Sequence, residues 1–313
     1  MCSPGTHVLV ALSGGSDSVA LTNLLLDLSK NGNFTVVALA HLNHRLRSSA
    51  DRDEAFCRQF AGRLGLRIVV EAGDVLSVAQ TGGFSVEDAA RRVRYDFLDR
   101  TAGDIGADRI AVGHTQDDQA ETFLLKLMRG AGPTGLAGVY PRRGRVVRPL
   151  LDVTRADLRQ YLLSKGEAWV EDETNEDLDN PRNRIRHRIL PELDRAAGGP
   201  TRAAIARAAA LIRDDGQWLD EVADERFRLL FVKSEAGLEL EVSRLVEAPS
   251  PILRRMVLGA MRKASPEREI GLEHVEAVMA LLGGLQGAVD VPGSRVELRG
   301  GKLTFIHRAG RNS

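Results

Sequence analysis

The run Ser13-Gly14-Gly15-Ser16-Asp17-Ser18 sits directly behind an apolar stretch, His7-Val8-Leu9-Val10-Ala11-Leu12. It is followed by Val19-Ala20-Leu21-Thr22-Asn23-Leu24-Leu25-Leu26. The first stretch reads as a short buried strand and the last has helical period. A strand that runs into a Gly/Ser loop opening a helix is an anion cradle. Glycine lets the backbone take positive φ and approach a ligand closely. Hydroxyls and free N–H groups then face a phosphate on the positive end of the helix dipole. A Walker-type loop ends in Lys-Ser/Thr, and these residues contain no lysine. A plain Ser/Gly helix cap would account for less of the pattern.

Short apolar runs at 7–12, 35–41, 66–70 and 108–113 alternate with helical periods at 17–30, 51–64, 86–101 and 116–129. That alternation predicts an α/β fold, a parallel sheet with helices on both faces. Ligands of such sheets bind beyond the carboxyl ends of the strands, which brings 13–18, 41–47 and 114–121 to one crevice. Residues 130–138 are glycine-rich and predict a mobile loop. Gly130, Gly132 and Gly135 match G-x-G-x-x-G, but behind a helix rather than a strand, so the dinucleotide reading fails.

The texture changes at Ala197-Gly198-Gly199-Pro200, which divides the chain into domains 1–196 and 197–313. The second part is expected to be a smaller, mainly helical α+β domain. It has helices at 200–215 and beyond, 251–264 and 272–283, then strands at 287–291, 295–299 and 302–307. A length of 313 residues suits two domains.

The formal net charge is zero, yet basic residues cluster at Arg142, Arg143, Arg145 and Arg148 and again at Arg182, Arg184, Arg186, His187 and Arg188. Such patches on a neutral protein fit RNA. Cys2 and Cys57 form no disulfide framework and no C-x-x-C, which fits a reducing compartment. No apolar run approaches a membrane span and residues 1–12 lack signal-peptide features, so the expected location is the cytoplasm, with no membrane partner.

Three clusters carry chemistry. His41-Leu42-Asn43-His44-Arg45-Leu46-Arg47 follows the second strand; two histidines with a nearby cysteine raise zinc, but no second ligand cluster has suitable spacing. His114-Thr115-Gln116-Asp117-Asp118-Gln119-Ala120-Glu121 opens a helix with Thr115 as N-cap. First-turn acids also serve the helix dipole, which leaves Asp117 open. Asp118 and Glu121 share a face and could hold an ammonium or assist Mg²⁺. Magnesium is expected where a polyphosphate bound at the cradle is cleaved, with its protein ligands unassigned. In the third cluster Arg182 and Arg186 share a helical face, as do Arg184 and Arg188; a solvated basic face and contact with RNA phosphate both fit. On 86–98, Val86, Ala89, Ala90, Val93 and Phe97 form the apolar stripe, opposite Glu87, Arg91 and Arg94.

Taken together, SGGSDS (13–18), HLNHRLR (41–47), EDAARRVRY (87–95), GHTQDDQAETFLLKLMRGAGPTGLAG (113–138), RPLL (148–151) and EDETN…RNRIRH (171–187) resemble the tRNA(Ile)-lysidine synthetase family. That family belongs to the N-type ATP pyrophosphatases, the PP-loop superfamily with an adenine nucleotide alpha hydrolase-like fold. The resemblance spans residues 8–190. It implies that ATP adenylates the wobble cytidine of an isoleucine tRNA with a CAU anticodon. The ε-amine of free L-lysine then attacks C2 to give lysidine, AMP and pyrophosphate. By the same resemblance Ser13, Gly14, Gly15, Ser16, Asp17 and Ser18 bind ATP phosphates and His114 lines the site. Asp118 and Glu121 receive lysine, Asp17, Arg182 and Arg186 stand at the reaction centre, and Arg91, Arg94, Arg182 and Arg186 contact tRNA. Some family members carry a further C-terminal domain; this chain is expected to end without one. The oligomeric state stays open, a homodimer included. The rival readings are a tRNA thiolase, which usually needs a reactive cysteine, and a catalytically silent ATP/RNA-binding module.

Overall fold

The computed structural model describes residues 3–45, 49–171, 177–234, 237–266, 268 and 270–307. Cys2, Leu46, Arg47 and residues 172–175 of the motifs above lie outside the described residues.

The chain divides into two compact units, residues 1–131 with 135–210, and residues 132–134 with 211–313. In the first, β1 (Thr6–Ala11), α1 (Ser16–Ser29), β2 (Phe34–Asn43), α2 (Ala50–Arg63) and β3 (Ile68–Ala72) are followed by α3 (Val75–Gly82), α4 (Val86–Asp104) and β4 (Arg109–Ala111). Then come α5 (Gln116–Met128), α6 (Pro133–Leu136, whose first two residues count with the second unit), the hairpin strands β5 (Arg142–Arg143) and β6 (Val146–Val147), and α7 (Arg155–Lys165). α8 (Pro181–Arg184), a π-helical turn over Ile185–Ile189, and α9 (Leu190–Ala197) follow. The strand order is β3-β2-β1-β4-β6-β5, parallel throughout except for β5 against β6. The chain therefore runs outward from β1 to β3 and returns to the other side of β1 at β4, which opens a crevice at their carboxyl ends.

β1 is apolar without alternation because both of its faces are buried. Val8 and Val10 pack with Val19, Leu21 and Leu25 of α1, Phe60 of α2, and Leu158 and Leu162 of α7. Leu9 packs on the opposite face with Ile110 and with Phe97, Leu98 and Ala102 of α4. Each such side chain contributes roughly 1.5–3 kcal/mol by leaving water, and together they fix the strand ends that carry the site.

Two expectations are corrected here. Residues 133–136 form the short helix α6, so the 130–138 segment is not wholly irregular: Pro133 supplies a helix-ready φ. Val86 is 46% exposed and does not belong to the buried stripe of α4, because the first turn of that helix extends beyond its packed neighbours Ala89, Phe97 and Leu98.

The second part of the chain contains α10 (Arg202–Leu230), β7 (Phe231–Ser234), β8 (Gly237–Glu241), α11 (Val242–Leu245), α12 (Ser250–Ala264), α13 (Leu272–Leu281), β9 (Gly287–Val291), β10 (Ser294–Arg299) and β11 (Lys302–His307). Its antiparallel sheet, ordered β7-β8-β11-β10-β9, packs Leu240, Val296, Leu298, Leu303 and Phe305 into a core with Met256, Val257 and Met261 of α12. The closing three-stranded meander matches the turn signals at Pro292-Gly293 and Gly300-Gly301. β7 and β8 carry no comparable signal. Among the described residues, no helix is long and apolar enough to cross a membrane.

Candidate active site

The loop between β1 and α1 is shaped by its own hydroxyls. Ser18 Oγ accepts from Ser13 N and Ser13 Oγ, each at 3.1 Å, and donates to Gly15 O at 3.0 Å. Ser16 Oγ donates to Asp17 Oδ1 at 3.1 Å. Gly14 has φ +89°, and a Cβ there would stand 3.3 Å from Cys57 Sγ, so the turn requires glycine. α1 starts without a side-chain cap, as α2 and α12 do. Asp74, Ser85, Thr115, Thr154 and Asn180, by contrast, cap α3, α4, α5, α7 and α8. An uncapped helix start behind such a turn is a seat for an anion.

α5 begins beside this loop. A Cβ on Gly113 would meet the Asp17 carbonyl at 3.1 Å, so glycine permits the close approach of the two segments. Thr115 and Asp118 form a capping box: Asp118 Oδ2 accepts from Thr115 N at 2.8 Å and from Thr115 Oγ1 at 2.9 Å. The other oxygen, Oδ1, accepts from Arg155 Nη2 at 3.1 Å. One turn on, Glu121 is fully buried; Arg182 Nε and Arg186 Nε each donate to it at 2.7 Å. Arg155 also reaches Asp17 Oδ2 at 3.2 Å and stands 3.6 Å from Glu121.

Asp17, Asp118 and Glu121 thus face Arg155, Arg182 and Arg186, a cluster whose formal charges balance. Burial raises the Asp17 carboxyl above its ordinary value, Arg155 offsetting only part of the effect. Burial also acts to raise Asp118, but Arg155 and Arg182 outweigh it and hold that carboxyl low. Burial works against the Arg155 cation, and Asp118, Asp17 and Glu121 overcome it and raise its pKa.

Arg155 is the residue that sequence reasoning missed. It stands at the first position of α7, where a cation is disfavoured by the dipole; its N–H on Asp117 Oδ2 at 2.8 Å and its guanidinium on two more carboxylates compensate. Thr154 with Asp157 at one end and Gly166 at the other mark α7 in the sequence. Asp117 bonds Arg155 N and also pairs with Arg202 at 2.9 Å, a structural role.

The arginines of 182–188 separate by face. Arg182 and Arg186 turn inward onto Glu121 and are not a free RNA-facing pair, because the buried carboxylate needs compensation. Arg184 and Arg188 are the exposed pair. Arg148 likewise leaves the basic patch: it is 4% exposed and donates to Tyr140 O at 2.7 Å, Tyr95 Oη at 3.2 Å and His114 Nδ1 at 3.2 Å. Arg142, Arg143 and Arg145 stay exposed on the β5–β6 hairpin. On α4, Arg91 is exposed with its guanidinium 4.9 Å from the Tyr95 ring centre, but Arg94 is half-buried beside the same ring rather than on an open face. Burial lowers the Arg94 pKa.

His41 is buried under the phosphate loop, its Nδ1 donating to Leu12 O at 2.9 Å. Asn43 ties the following turn to α2 through Asp51 and Glu54. These side chains brace the loop and do not join the carboxylate–guanidinium cluster. Burial pushes the Cys57 thiol up to about 12. Among the described residues, no group of three or more His, Cys, Asp or Glu side chains is placed to hold a metal ion.

Residues 3–193 match the family model of the PP-loop domain. The chain is 39% identical over 287 residues to the tRNA(Ile)-lysidine synthase of Geobacter sulfurreducens, covering 90% of this chain and 60% of that protein. The enzyme of the same name from Thermus thermophilus is 36% identical over 308 residues, 97% of this chain and 57% of its own length. That of Leifsonia xyli subsp. xyli is 36% identical over 308 residues, covering 97% of this chain and 90% of its own. The chain thus spans about 60% of the length of the first two relatives. Among solved structures, a U34-tRNA thiolase, NcsA, from Methanococcus maripaludis with its [4Fe-4S] cluster aligns with a TM-score of 0.56 at 17% identity. It covers 67% of this chain and 73% of its own, a likeness of fold alone.

Proposed function

We infer, from the premise that this chain belongs to the PP-loop family and within it to the tRNA(Ile)-lysidine synthases, that it joins free lysine to C2 of the wobble cytidine of an isoleucine tRNA with a CAU anticodon. ATP adenylates the cytosine O2 and pyrophosphate leaves. The lysine ε-amine then attacks C2 and expels AMP. Such a substrate places the reaction in the cytoplasm. The observation that carries this reading is the charge-balanced cluster of Asp17, Asp118 and Glu121 with Arg155, Arg182 and Arg186, set beside an uncapped helix start.

Ser13 to Ser18 cradle the phosphates, with the Ser18 hydroxyl shaping the loop from within. Polyphosphate competes with Asp118 and Glu121 for the arginines, because guanidinium matches phosphate at least as well as carboxylate. Arginines drawn to phosphate leave Asp118 and Glu121 to hold the lysine ammonium. Catalysis here is positioning and charge, with no covalent enzyme intermediate. Asp17 offers a hard oxygen that suits Mg²⁺ alongside substrate phosphates, and the ion would neutralise charge developing on pyrophosphate. Exposed Arg91, Arg142, Arg143, Arg145, Arg184 and Arg188 supply contacts to tRNA phosphate. Residues 1–196 act as the catalytic domain and 197–313 as a tRNA-contacting one.

Among the described residues the thiolase alternative finds no reactive thiol: Cys57 is buried, with its thiol pushed up to about 12. The deciding experiment incubates the protein with tRNA, ATP and lysine and weighs the nucleoside at position 34. A gain of one lysine less one water supports the reading; a sulfur-for-oxygen change, or turnover of ATP to ADP, overturns it.

A further inference from the structure

Arg148 carries its charge almost entirely buried, and each nitrogen of its guanidinium has a fixed partner: Tyr140 O on Nη1, Tyr95 Oη on Nη2 and His114 Nδ1 on Nε. A guanidinium nitrogen can only donate. Nδ1 of His114 must therefore offer its lone pair, and a ring proton has nowhere to sit except Nε2. A doubly protonated ring would set N–H against N–H beside a buried cation. The charged groups facing the ring are Asp118, which favours the cation, and Arg148, Arg94 and Arg182, which oppose it. Burial adds to the opposition. Among the described residues the ring makes its one hydrogen bond through Nδ1, which leaves Nε2 open, and Gly113 seats the preceding backbone against Asp17 of the phosphate loop.

We propose that Arg148, held in place by Tyr95 and Tyr140, locks His114 as the neutral Nε2–H tautomer, so that His114 donates a hydrogen bond to an oxygen of bound ATP and does not take a proton from lysine. His114 is the group that meets the nucleotide; Arg148 and Tyr95 are positioning residues that act through it. The use assigned to the donor rests on the ATP-dependent reading above, but the tautomer does not.

The test is ¹⁵N NMR of the full chain labelled at histidine, with the His114 signals identified by their loss in His114→Gln. Between pH 6 and 8 the expected spectrum shows an unprotonated Nδ1 and a protonated Nε2, and α,β-methylene-ATP shifts Nε2 while Nδ1 stays unprotonated. A proton on Nδ1, a cationic ring in that range, or an Nε2 that saturating analogue leaves unmoved would each overturn the proposal. Arg148→Lys keeps the charge but loses the fork, and should mix the two tautomers. In pyrophosphate release, His114→Gln, whose amide supplies an N–H donor at the same reach, should lose less than about tenfold, whereas loss of a general base typically costs about 10²–10⁴. Equal collapse of His114→Gln and His114→Ala, both folded by circular dichroism, would show the ring acting as a base. Should the wild-type protein make no lysidine while the spectrum is as expected, the functional reading falls and the tautomer assignment stands.

Discussion

Arg155 and Asp17, 138 residues apart in the sequence, meet at 3.2 Å and join the start of α7 to the phosphate loop. The same guanidinium holds Asp118, so one side chain ties three segments of the crevice together.

Removing it should therefore harm both function and folding. Arg155→Met leaves Asp17 without its guanidinium and Asp118 with Arg182 alone, and breaking such a buried pair costs about 3–5 kcal/mol. The urea midpoint should drop accordingly, and pyrophosphate release should fall by at least about 10²-fold, the usual scale for losing one positioned electrostatic group. Arg155→Lys restores the charge but not the fork, and is expected to recover stability better than turnover. Wild-type pyrophosphate release from Arg155→Met would contradict the placement.

Glu121 separates the two chemical steps. Glu121→Gln preserves shape but takes the counter-charge from Arg186 and leaves Arg182 with Asp118 alone. Adenylation, read as pyrophosphate release, should persist within about tenfold; lysine-dependent AMP release should fall further, with a raised KM for lysine, since one lost charge-assisted hydrogen bond is worth about 1.5–3 kcal/mol. Equal loss in both assays would remove Glu121 from the lysine site.

Acid should weaken the fold through His114. Burial foremost, with the surrounding guanidinia, holds its pKa at about 3, against an ordinary 6.5. The unfolded chain thus binds a proton that the folded one refuses. The contribution is fully present above pH 6.5 and is lost as pH falls toward 3, at up to about 1.4 kcal/mol per pH unit. Urea titrations across that range should steepen for the wild type and flatten for His114→Gln. Parallel curves would show that another group sets the slope.

Gly14 and Cys57 make a matched control. Gly14→Ala forces a Cβ onto φ +89° and 3.3 Å from Cys57 Sγ. ATP binding should weaken severalfold, and the double variant with Cys57→Ala should recover only in part, because the backbone strain of about 1–2 kcal/mol remains. Cys57→Ala alone should keep product formation, and the wild-type thiol should resist alkylation at pH 8. Rapid labelling of Cys57 in the folded protein would refute its buried, protonated state.

Much of this site was written in local patterns. The phosphate loop, the Thr115 cap and the Asp118–Glu121 face all follow from residues within a turn of one another. The pairing of Arg182 with Arg186 was legible as a shared helical face, but not the direction of that face, because a buried carboxylate elsewhere in the chain decides it. Arg148 failed as a patch residue for the same reason: four arginines in seven positions look alike until Tyr95, Tyr140 and His114 select one. Arg155 stood behind a readable Thr154 cap, yet its partners come from distant segments. Strands β7 and β8 escaped notice because, unlike the closing meander, no Gly-Gly or Pro-Gly turn punctuates them.

Asp118 closes the first turn of α5 with one oxygen and meets the arginines with the other. A single atom pair thus links the winding of a helix to the chemistry beside it. Fraying at that terminus would release an acceptor into the crevice, and any ligand that recruits the second oxygen must tighten the helix it springs from. The position thus carries two demands at once, and aspartate, short enough to bend back and ionised enough to reach forward, is the side chain that satisfies both.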